Sequence, residues 1–199
     1  MRILAIETAT EACSVALFED GALLDARHEV LGRGHAERLV PMIAELPDKG
    51  RADEIRVSLG PGSFTGVRIG LAVARALGIA WGATVRGYPT LALVAAMARQ
   101  PVRVCMTGGH GEWFVQDYGT DGLPQGALAS LTPDAAAALP PAPLVAGSKA
   151  EELAALAPAP VSDVRLPEAA HALSMDESLL TDSLAPLYGR PPDAKRPGA

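Results

Sequence analysis

The chain has 199 residues, of which 49% are apolar and only 4% aromatic, so its core must be built mainly from Ala, Leu and Val. The formal net charge of −6 argues against a chain that holds RNA by itself, because nucleic-acid affinity comes mainly from basic patches on phosphates. Two lone cysteines without metal or redox spacing, Cys13 and Cys105, fit a cytoplasmic protein with reduced thiols. Neither a signal peptide nor a membrane span is predicted, since Glu7 interrupts the apolar start and arginines interrupt the longest apolar run.

Three short strands and a helix are predicted for the first 46 residues. The strands are expected at residues 2–6, 13–18 and 23–30. A polar turn, Glu7-Thr8-Ala9-Thr10, follows the first strand. Apolar residues then recur at helical spacing over residues 35–46. Pro41 lies inside this segment and removes a backbone donor, so we expect a kink there or a helix start near Val40.

The stretch from Val57 to Gly82 has the pattern of a strand end, a glycine-rich loop and a long helix. Ser63 is the predicted N-cap, because its hydroxyl can accept an N–H group of the first turn. Between Val67 and Trp81 the only charged residues are Arg68 and Arg75, seven apart. A helix that is apolar all round must be covered all round, and a single sheet covers only one side. We therefore expect this helix to pack on its own sheet and also on a second molecule.

Small residues recur at every fourth position of this helix, at Gly66, Gly70, Ala74 and Gly78. A groove so poor in side chains lets another backbone come close, which offsets the cost of about 1 kcal/mol that each glycine carries relative to alanine. We predict that this stripe receives a partner helix or a second copy, and that Gly70→Leu blocks the contact without harming the fold. The alternative is ordinary core packing in a protein rich in small residues.

The loop before the helix is a candidate phosphate-binding turn, because the N–H groups at a helix N-terminus attract anions. It nearly matches the dinucleotide-binding fingerprint, but Thr65 stands where the third glycine belongs, and no Walker lysine follows. The pattern therefore predicts either a degenerate phosphate loop or a plain strand-to-helix turn. The candidate phosphate-loop residues, with those of the first turn, are Glu7, Thr8, Gly60, Gly62 and Ser63.

The remaining chain is rich in Ala and Pro. A boundary near residue 100 gives a predicted N-terminal lobe of residues 1–99 and a smaller lobe of residues 100–199, which ends in a proline-rich tail expected to fray. No catalytic residue and no metal site are predicted, because the four histidines make no His-x-x-x-His pair and no Cys-x-x-Cys site occurs.

Strands are expected at residues 84–87, 102–106, 112–118, 144–146 and 161–166, and helices at residues 91–99, 133–139 and 149–156.

Three motifs in combination resemble the bacterial TsaB (YeaZ) family, whose members are partners in making threonylcarbamoyladenosine on tRNA. They are ILAIETAT, GHAERLVPMI and GPGSFTGVRIGLAVARALG, all in the first half of the chain. The second half resembles the family only in patches such as GEWFVQDY and PLYGRPPDA. The resemblance implies a two-lobed actin-like α/β fold of the ASKHA or RNase H-like type, with mixed sheets flanked by helices and a reduced second lobe.

The resemblance also implies a non-catalytic subunit that docks on and activates a TsaD-like threonylcarbamoyl transferase. ATP and metal are expected on that partner and no cofactor on this chain. A TsaE-like ATPase is a further expected partner, tRNA is reached only through the complex, and the chain alone is expected to form a homodimer. The expected interface residues are His35, Leu39, Gly66, Val67, Arg68, Gly70, Leu71, Ala74, Arg75 and Gly78.

Two other functions stay open at this point. An actin-like nucleotide-binding phosphotransferase or ATPase would use Glu7, Thr8 and the glycine loop. A peptidase-like protein is suggested only by a historical label of the wider family. The chain departs from the family where TsaB-like sequences usually show Asp-Thr, since it has Glu7-Thr8, and in the second-lobe hairpin, where Thr107-Gly108-Gly109 replaces Asp-Ala-Arg. The metal-binding histidine motif of TsaD has no counterpart at residues 85–93.

Overall fold

Two mixed β-sheets flanked by helices make up the protein, whose computed structural model describes residues 1–189. The proline-rich tail that we expect to fray lies outside the described residues. The N-terminal sheet contains β1 (Arg2–Glu7), β2 (Ala12–Glu19), β3 (Ala22–Val30), β4 (Glu54–Ser58) and β5 (Thr84–Tyr88). Its strand order is β3-β2-β1-β4-β5, antiparallel between β1, β2 and β3 and parallel from β1 through β4 to β5.

Helices cover both sides of this sheet, because its central strands are apolar on both faces. They are α1 (His35–Ala44), α2 (Phe64–Trp81) and α3 (Thr90–Ala98). Along β1, Leu4 and Ile6 pack on the side of α1 and α2, whereas Ile3 and Ala5 pack on the side of α3. This alternation follows from the two-residue period of a strand. The helix predicted to contact a second molecule, α2, is thus one of two helices on the same side of the sheet.

The second sheet repeats the first four strands of the N-terminal sheet in miniature. It contains β6 (Val102–Thr107), β7 (Trp113–Tyr118), β8 (Ala129–Leu131) and β9 (Val145–Ala146), with α4 (Pro133–Ala137) and α5 (Ala150–Leu156) packed on one side. Its order is β8-β7-β6-β9, again antiparallel among the first three strands and parallel at the fourth. The predicted two-lobed actin-like fold with a reduced second lobe is confirmed.

Of the two alternatives predicted for Pro41, the helix start near Val40 is wrong, because α1 begins at His35 and continues through Pro41. The kink stays a prediction. Buried residues on both sides of the proline, Leu39 and Met42 among them, hold the helix on the sheet despite the missing donor. Residues 161–166 form a single bridge from Val161 to Val145 instead of the predicted strand.

Residues 169–189 return from the second sheet to the first, although the predicted boundary assigns them to the second lobe. The N–H of Ala169 donates to Ser14 Oγ of β2 over 3.0 Å. Thr181 then pairs with Gly87 of β5 through two backbone hydrogen bonds of 2.7 and 3.0 Å. Residues 181–189, the strap, run from this point along α2 toward the glycine loop.

Candidate interaction face

The stripe of small residues on α2 faces the chain's own sheet. A Cβ atom at Gly66 would overlap the carbonyl oxygen of Thr8, and one at Gly70 would overlap Thr8 Oγ1. At Gly78 an added Cβ would lie 2.5 Å from Cγ2 of Val85. The prediction that this stripe receives a partner is therefore wrong, because the stripe packs against the turn after β1 and against the strand β5. The buried inner face consists of Gly66, Val67, Gly70, Leu71, Ala74 and Gly78.

The opposite side of α2, the outer face, is exposed and mainly apolar. Its residues are Phe64, Thr65, Arg68, Ala72, Arg75, Ala76, Ile79 and Ala80. Ile79 is 86% exposed, and three alanines at every fourth position form a second stripe of small residues. By length and composition alone α2 could span a membrane, but a third of it is buried inside the protein. The sequence contains both small stripes, and local spacing does not say which of them faces the sheet.

The helix α1 lies beside α2 and enlarges this surface. Val40 is 52% exposed on the outer side of α1. The interface prediction for His35 and Leu39 is wrong, because both side chains are buried. His35 Nε2 lies 3.1 Å from the carbonyl oxygen of Ala12, and Leu39 is part of the core under the sheet. The exposed neighbours of these residues, rather than the residues themselves, are available to a second molecule.

Arg68 and Arg75 are the two predicted interface residues that the structure exposes, and both hold the strap. Arg68 Nη2 donates to the hydroxyl of Tyr188 over 3.1 Å, and its guanidinium carbon lies 3.4 Å from the centre of the Phe64 ring. The Phe64 and Tyr188 rings stack with their centres 5.9 Å apart. Arg75 Nη2 donates to the carbonyl oxygen of Leu184 over 2.9 Å. The strap thus borders one edge of the outer face.

Two backbone donors of the candidate phosphate loop are bonded within the chain itself. The N–H of Ser63 donates to the carbonyl oxygen of Ala9 over 2.6 Å, and the N–H of Gly60 donates to Ser58 Oγ over 3.2 Å. A Cβ atom at Gly62 would overlap the same Ala9 oxygen. The carbonyl groups of the first turn therefore lie against the loop, in the position that a phosphate cradle leaves open for its anion.

Glu7 is fully buried under this loop. Its Oε1 atom accepts the N–H of Ala9 over 2.7 Å, whereas Oε2 has no hydrogen-bond partner within the described part of the chain. Burial raises the pKa of Glu7 to about 7 from the ordinary 4.5, and the bond from Ala9 offsets only part of this effect. Burial raises the pKa of the neighbouring Tyr88 as well, and the Tyr88 hydroxyl donates to the carbonyl oxygen of Ile6 over 2.9 Å. The environment of Glu7 is that of a structural carboxyl group at the end of β1.

A cleft of about 1200 Å³ lies between the two lobes. Its walls are the turn after β1, the glycine loop, the turn between β6 and β7, and the end of the strap. On the second-lobe side the hydroxyl oxygens of Thr107 and Ser148 are 3.1 Å apart, and Gly108 packs against the backbone of Glu112. Among residues 1–189 no group of three His, Cys, Asp or Glu side chains is placed to hold a metal ion. That the chain has no cofactor of its own stays a prediction.

Comparison with known proteins gives a consistent result across the chain. Residues 28–180 match the family described as "TsaD: tRNA N6-adenosine threonylcarbamoyltransferase". Over 100 residues the chain is 44% identical to the tRNA threonylcarbamoyladenosine biosynthesis protein TsaB of Escherichia coli strain K12, an alignment that covers 48% of this chain and 43% of that protein. The chain therefore spans less than half the length of this relative.

Two further relatives cover nearly the whole chain. An uncharacterized protein of Mycobacterium tuberculosis strain H37Rv is 34% identical over 201 residues, which are 97% of this chain and 93% of that protein. The solved structure of YeaZ from Pseudomonas aeruginosa superposes with a TM-score of 0.74 and 31% identity, over 87% of this chain and 90% of that one. Sequence and fold thus agree, and the chain belongs to the TsaB/YeaZ family within the wider TsaD-type family.

Proposed function

We propose that this chain is a non-catalytic subunit of the machinery that makes tRNA threonylcarbamoyladenosine, and that its outer face docks on a TsaD-like transferase. The observation that carries the proposal is the exposed apolar side of an 18-residue helix. Large contiguous apolar patches are rare on monomeric proteins and commonly mark interaction sites. The name of the Escherichia coli relative supplies the pathway.

A TsaD-like chain is the occupant that the relationships favour. Because residues 28–180 match the TsaD-type family, the two proteins are expected to share a fold and to carry equivalent helices. Identical chains pair through one patch about a two-fold axis, and two related chains can pair in the same way about an approximate axis. The alanines of the outer face allow the two helices to cross at a short distance. The same geometry would serve a homodimer when the chain is alone.

In this assembly the catalytic groups belong to the transferase. ATP and metal bind that subunit, a TsaE-like ATPase joins the complex, and tRNA is held by the complex as a whole in the cytoplasm. This division is supported by the negative net charge of the chain. It is also supported by the glycine loop, where a carbonyl group of the first turn accepts the N–H of Ser63 in place of an anion. The chain contributes a rigid surface that holds the transferase in its active arrangement.

Ile79→Asp is expected to weaken binding of the TsaD-like subunit by at least about 100-fold, since a carboxylate would replace the most exposed large apolar side chain of the outer face and would lose its water in the contact. The fold should survive, because Ile79 is 86% exposed. Titration calorimetry with the transferase of the same organism measures the affinity, and circular dichroism checks the fold. Leu156→Asp is the matched control, since it changes an exposed apolar residue of α5 in the other lobe. Equal binding by Ile79→Asp and wild type would place the contact elsewhere.

The isolated chain with ATP and Mg²⁺ is expected to release no phosphate above the buffer rate. The reason is that the loop N–H groups of Ser63 and Gly60 are bonded within the chain and Glu7 is buried beneath them. A phosphate-release assay on the lone chain is the measurement, with the transferase complex as the positive sample. Hydrolysis by the lone chain that disappears in Glu7→Ala would instead support the nucleotide-binding alternative.

A further inference from the structure

The two arginines of the outer face differ from the seven arginines of residues 1–189 that form an ion pair with a carboxylate. Arg2, Arg27, Arg38, Arg56 and Arg103 are among these seven. Arg68 and Arg75 bond only to a hydroxyl and a carbonyl oxygen of the strap, and no carboxylate of the described residues lies within ion-pair distance of either. Two cationic groups that have no acidic partner among residues 1–189 thus lie on an exposed helix of a chain whose net charge is −6.

The positions of these arginines place them inside the proposed contact. Arg68, Ala72, Arg75 and Ile79 are separated by four, three and four residues, so they form one ridge along the outer face. A molecule that covers Ala72 and Ile79 must therefore also approach both guanidinium groups. Each guanidinium has five N–H donors, of which the strap uses one, so both can still form paired bonds to a carboxylate.

The helix α2 contains no acidic residue between Phe64 and Trp81. In a two-fold self-pair every contact of one copy is returned by the other, so α2 crossed on its own copy can offer Arg68 and Arg75 uncharged side chains or further arginines but no carboxylate. A different chain that carries carboxylates at the facing positions would neutralise both groups. Like charges set against each other across an interface suppress a wrong partner, and complementary charges fix the right one.

We propose that Arg68 and Arg75 set partner choice at the outer face: they pair with carboxylates of the TsaD-like subunit and weaken pairing between two copies of this chain. The proposal rests on the proposed docking of α2. It makes the self-pair the weaker competitor for the same surface, so that the transferase displaces it. The occupant is thus a related chain with an acidic helix face, and the selectivity lies in charge.

Self-association tests this without any second protein. The variant Arg68→Glu/Arg75→Glu is mixed in equal amounts with wild type, and sedimentation equilibrium is measured at low and at high salt. We expect the mixture to associate at least about tenfold more tightly than either protein alone, because arginines of one copy then face glutamates of the other. Salt should weaken the mixed pair and strengthen the wild-type pair. A mixture that associates no better than wild type, or a wild-type pair that salt weakens, overturns the proposal; the latter would point to a carboxylate such as Glu37 of α1 pairing across the axis.

Binding to the transferase of the same organism is the second test. Arg68→Glu/Arg75→Glu should bind at least about tenfold more weakly than wild type. Arg68→Lys/Arg75→Lys keeps both charges but loses the paired bonds of the guanidinium groups, so it should bind more weakly than wild type and more tightly than the charge reversal. Arg51→Glu/Arg99→Glu is the matched control, since it makes the same change of net charge at two exposed sites away from α2. If Ile79→Asp weakens binding and the charge reversal does not, the charge proposal fails and the docking proposal stands. If neither variant weakens binding, the docking face itself is wrong.

Discussion

Gly66→Ala is expected to destabilise the fold by about 3 kcal/mol or more, a large part of the stability of a domain of this size. The added Cβ would overlap the carbonyl oxygen of Thr8, which belongs to the backbone of the turn after β1. That turn cannot retreat easily, because Thr8 Oγ1 donates to the carbonyl oxygen of Gly66 over 2.8 Å and Ser63 N–H donates to Ala9 over 2.6 Å. Urea unfolding followed by circular dichroism gives the free energy of unfolding.

Gly78→Ala is the matched comparison in the same stripe. Its Cβ would meet Cγ2 of Val85 at 2.5 Å, the end of a side chain that can rotate away, and alanine favours a helix by about 1 kcal/mol over glycine. We therefore expect a loss of less than about 1 kcal/mol for Gly78→Ala. If Gly66→Ala were tolerated equally well, the helix would be able to slide away from the turn, and the close approach at Thr8 would not be required. Gly70→Leu should unfold the chain rather than leave a folded monomer, because a side chain at this position overlaps Thr8 Oγ1.

The elements around the interface helix could be predicted because their signals are local. Ser63 caps α2 by accepting the N–H of Gly66 over 3.2 Å, and Gly82 ends the helix in a left-handed conformation. The strands β1, β2 and β3 follow from apolar runs and turn residues that lie next to one another in the chain, whereas the parallel pairing of β1 with β4 joins distant residues and is not predicted by them. The prediction that α2 has an exposed apolar side also needed only the distribution of charge along it.

The side of α2 that faces the sheet could not be predicted, because it depends on contacts between distant residues. The glycine stripe and the stripe of Ala72, Ala76 and Ala80 have the same four-residue spacing, and only the position of the turn at Thr8 decides which one is buried. The partners of Arg68 and Arg75 lie 120 and 109 residues away in the strap, so no local pattern connects them. Prediction from spacing therefore finds the helix and its small residues but assigns them to the wrong side.

The free energy of unfolding is expected to depend on Glu7 between pH 4.5 and 7. In the unfolded chain the carboxyl group ionises near its ordinary pKa of 4.5, whereas burial raises its pKa in the folded protein to about 7. Between these values the folded state keeps a proton that the unfolded state has lost, so raising the pH favours unfolding. The stability should fall by about 3 kcal/mol across this window and stay level above it, since both states are then ionised.

Glu7→Gln should remove this slope, because glutamine does not titrate and stays neutral in the buried site. The variant is therefore expected to be more stable than wild type at pH 8 and close to it at pH 4.5, where the wild-type carboxyl group of the folded protein is also neutral. Urea unfolding at several pH values measures the difference in free energy of unfolding between the two proteins. This difference cancels the contributions of surface carboxylates such as Glu29, the pKa of which is lowered by its hydrogen bond with Arg38. Parallel stability curves for the two proteins would mean that the folded protein accommodates the charge at Glu7, through water or a shift of the first turn. In that case Oε2 of Glu7 would have a hydrogen-bond partner. The turn at Thr8 and Ala9 would then be able to move away from α2, against the close approach of Thr8 to Gly66.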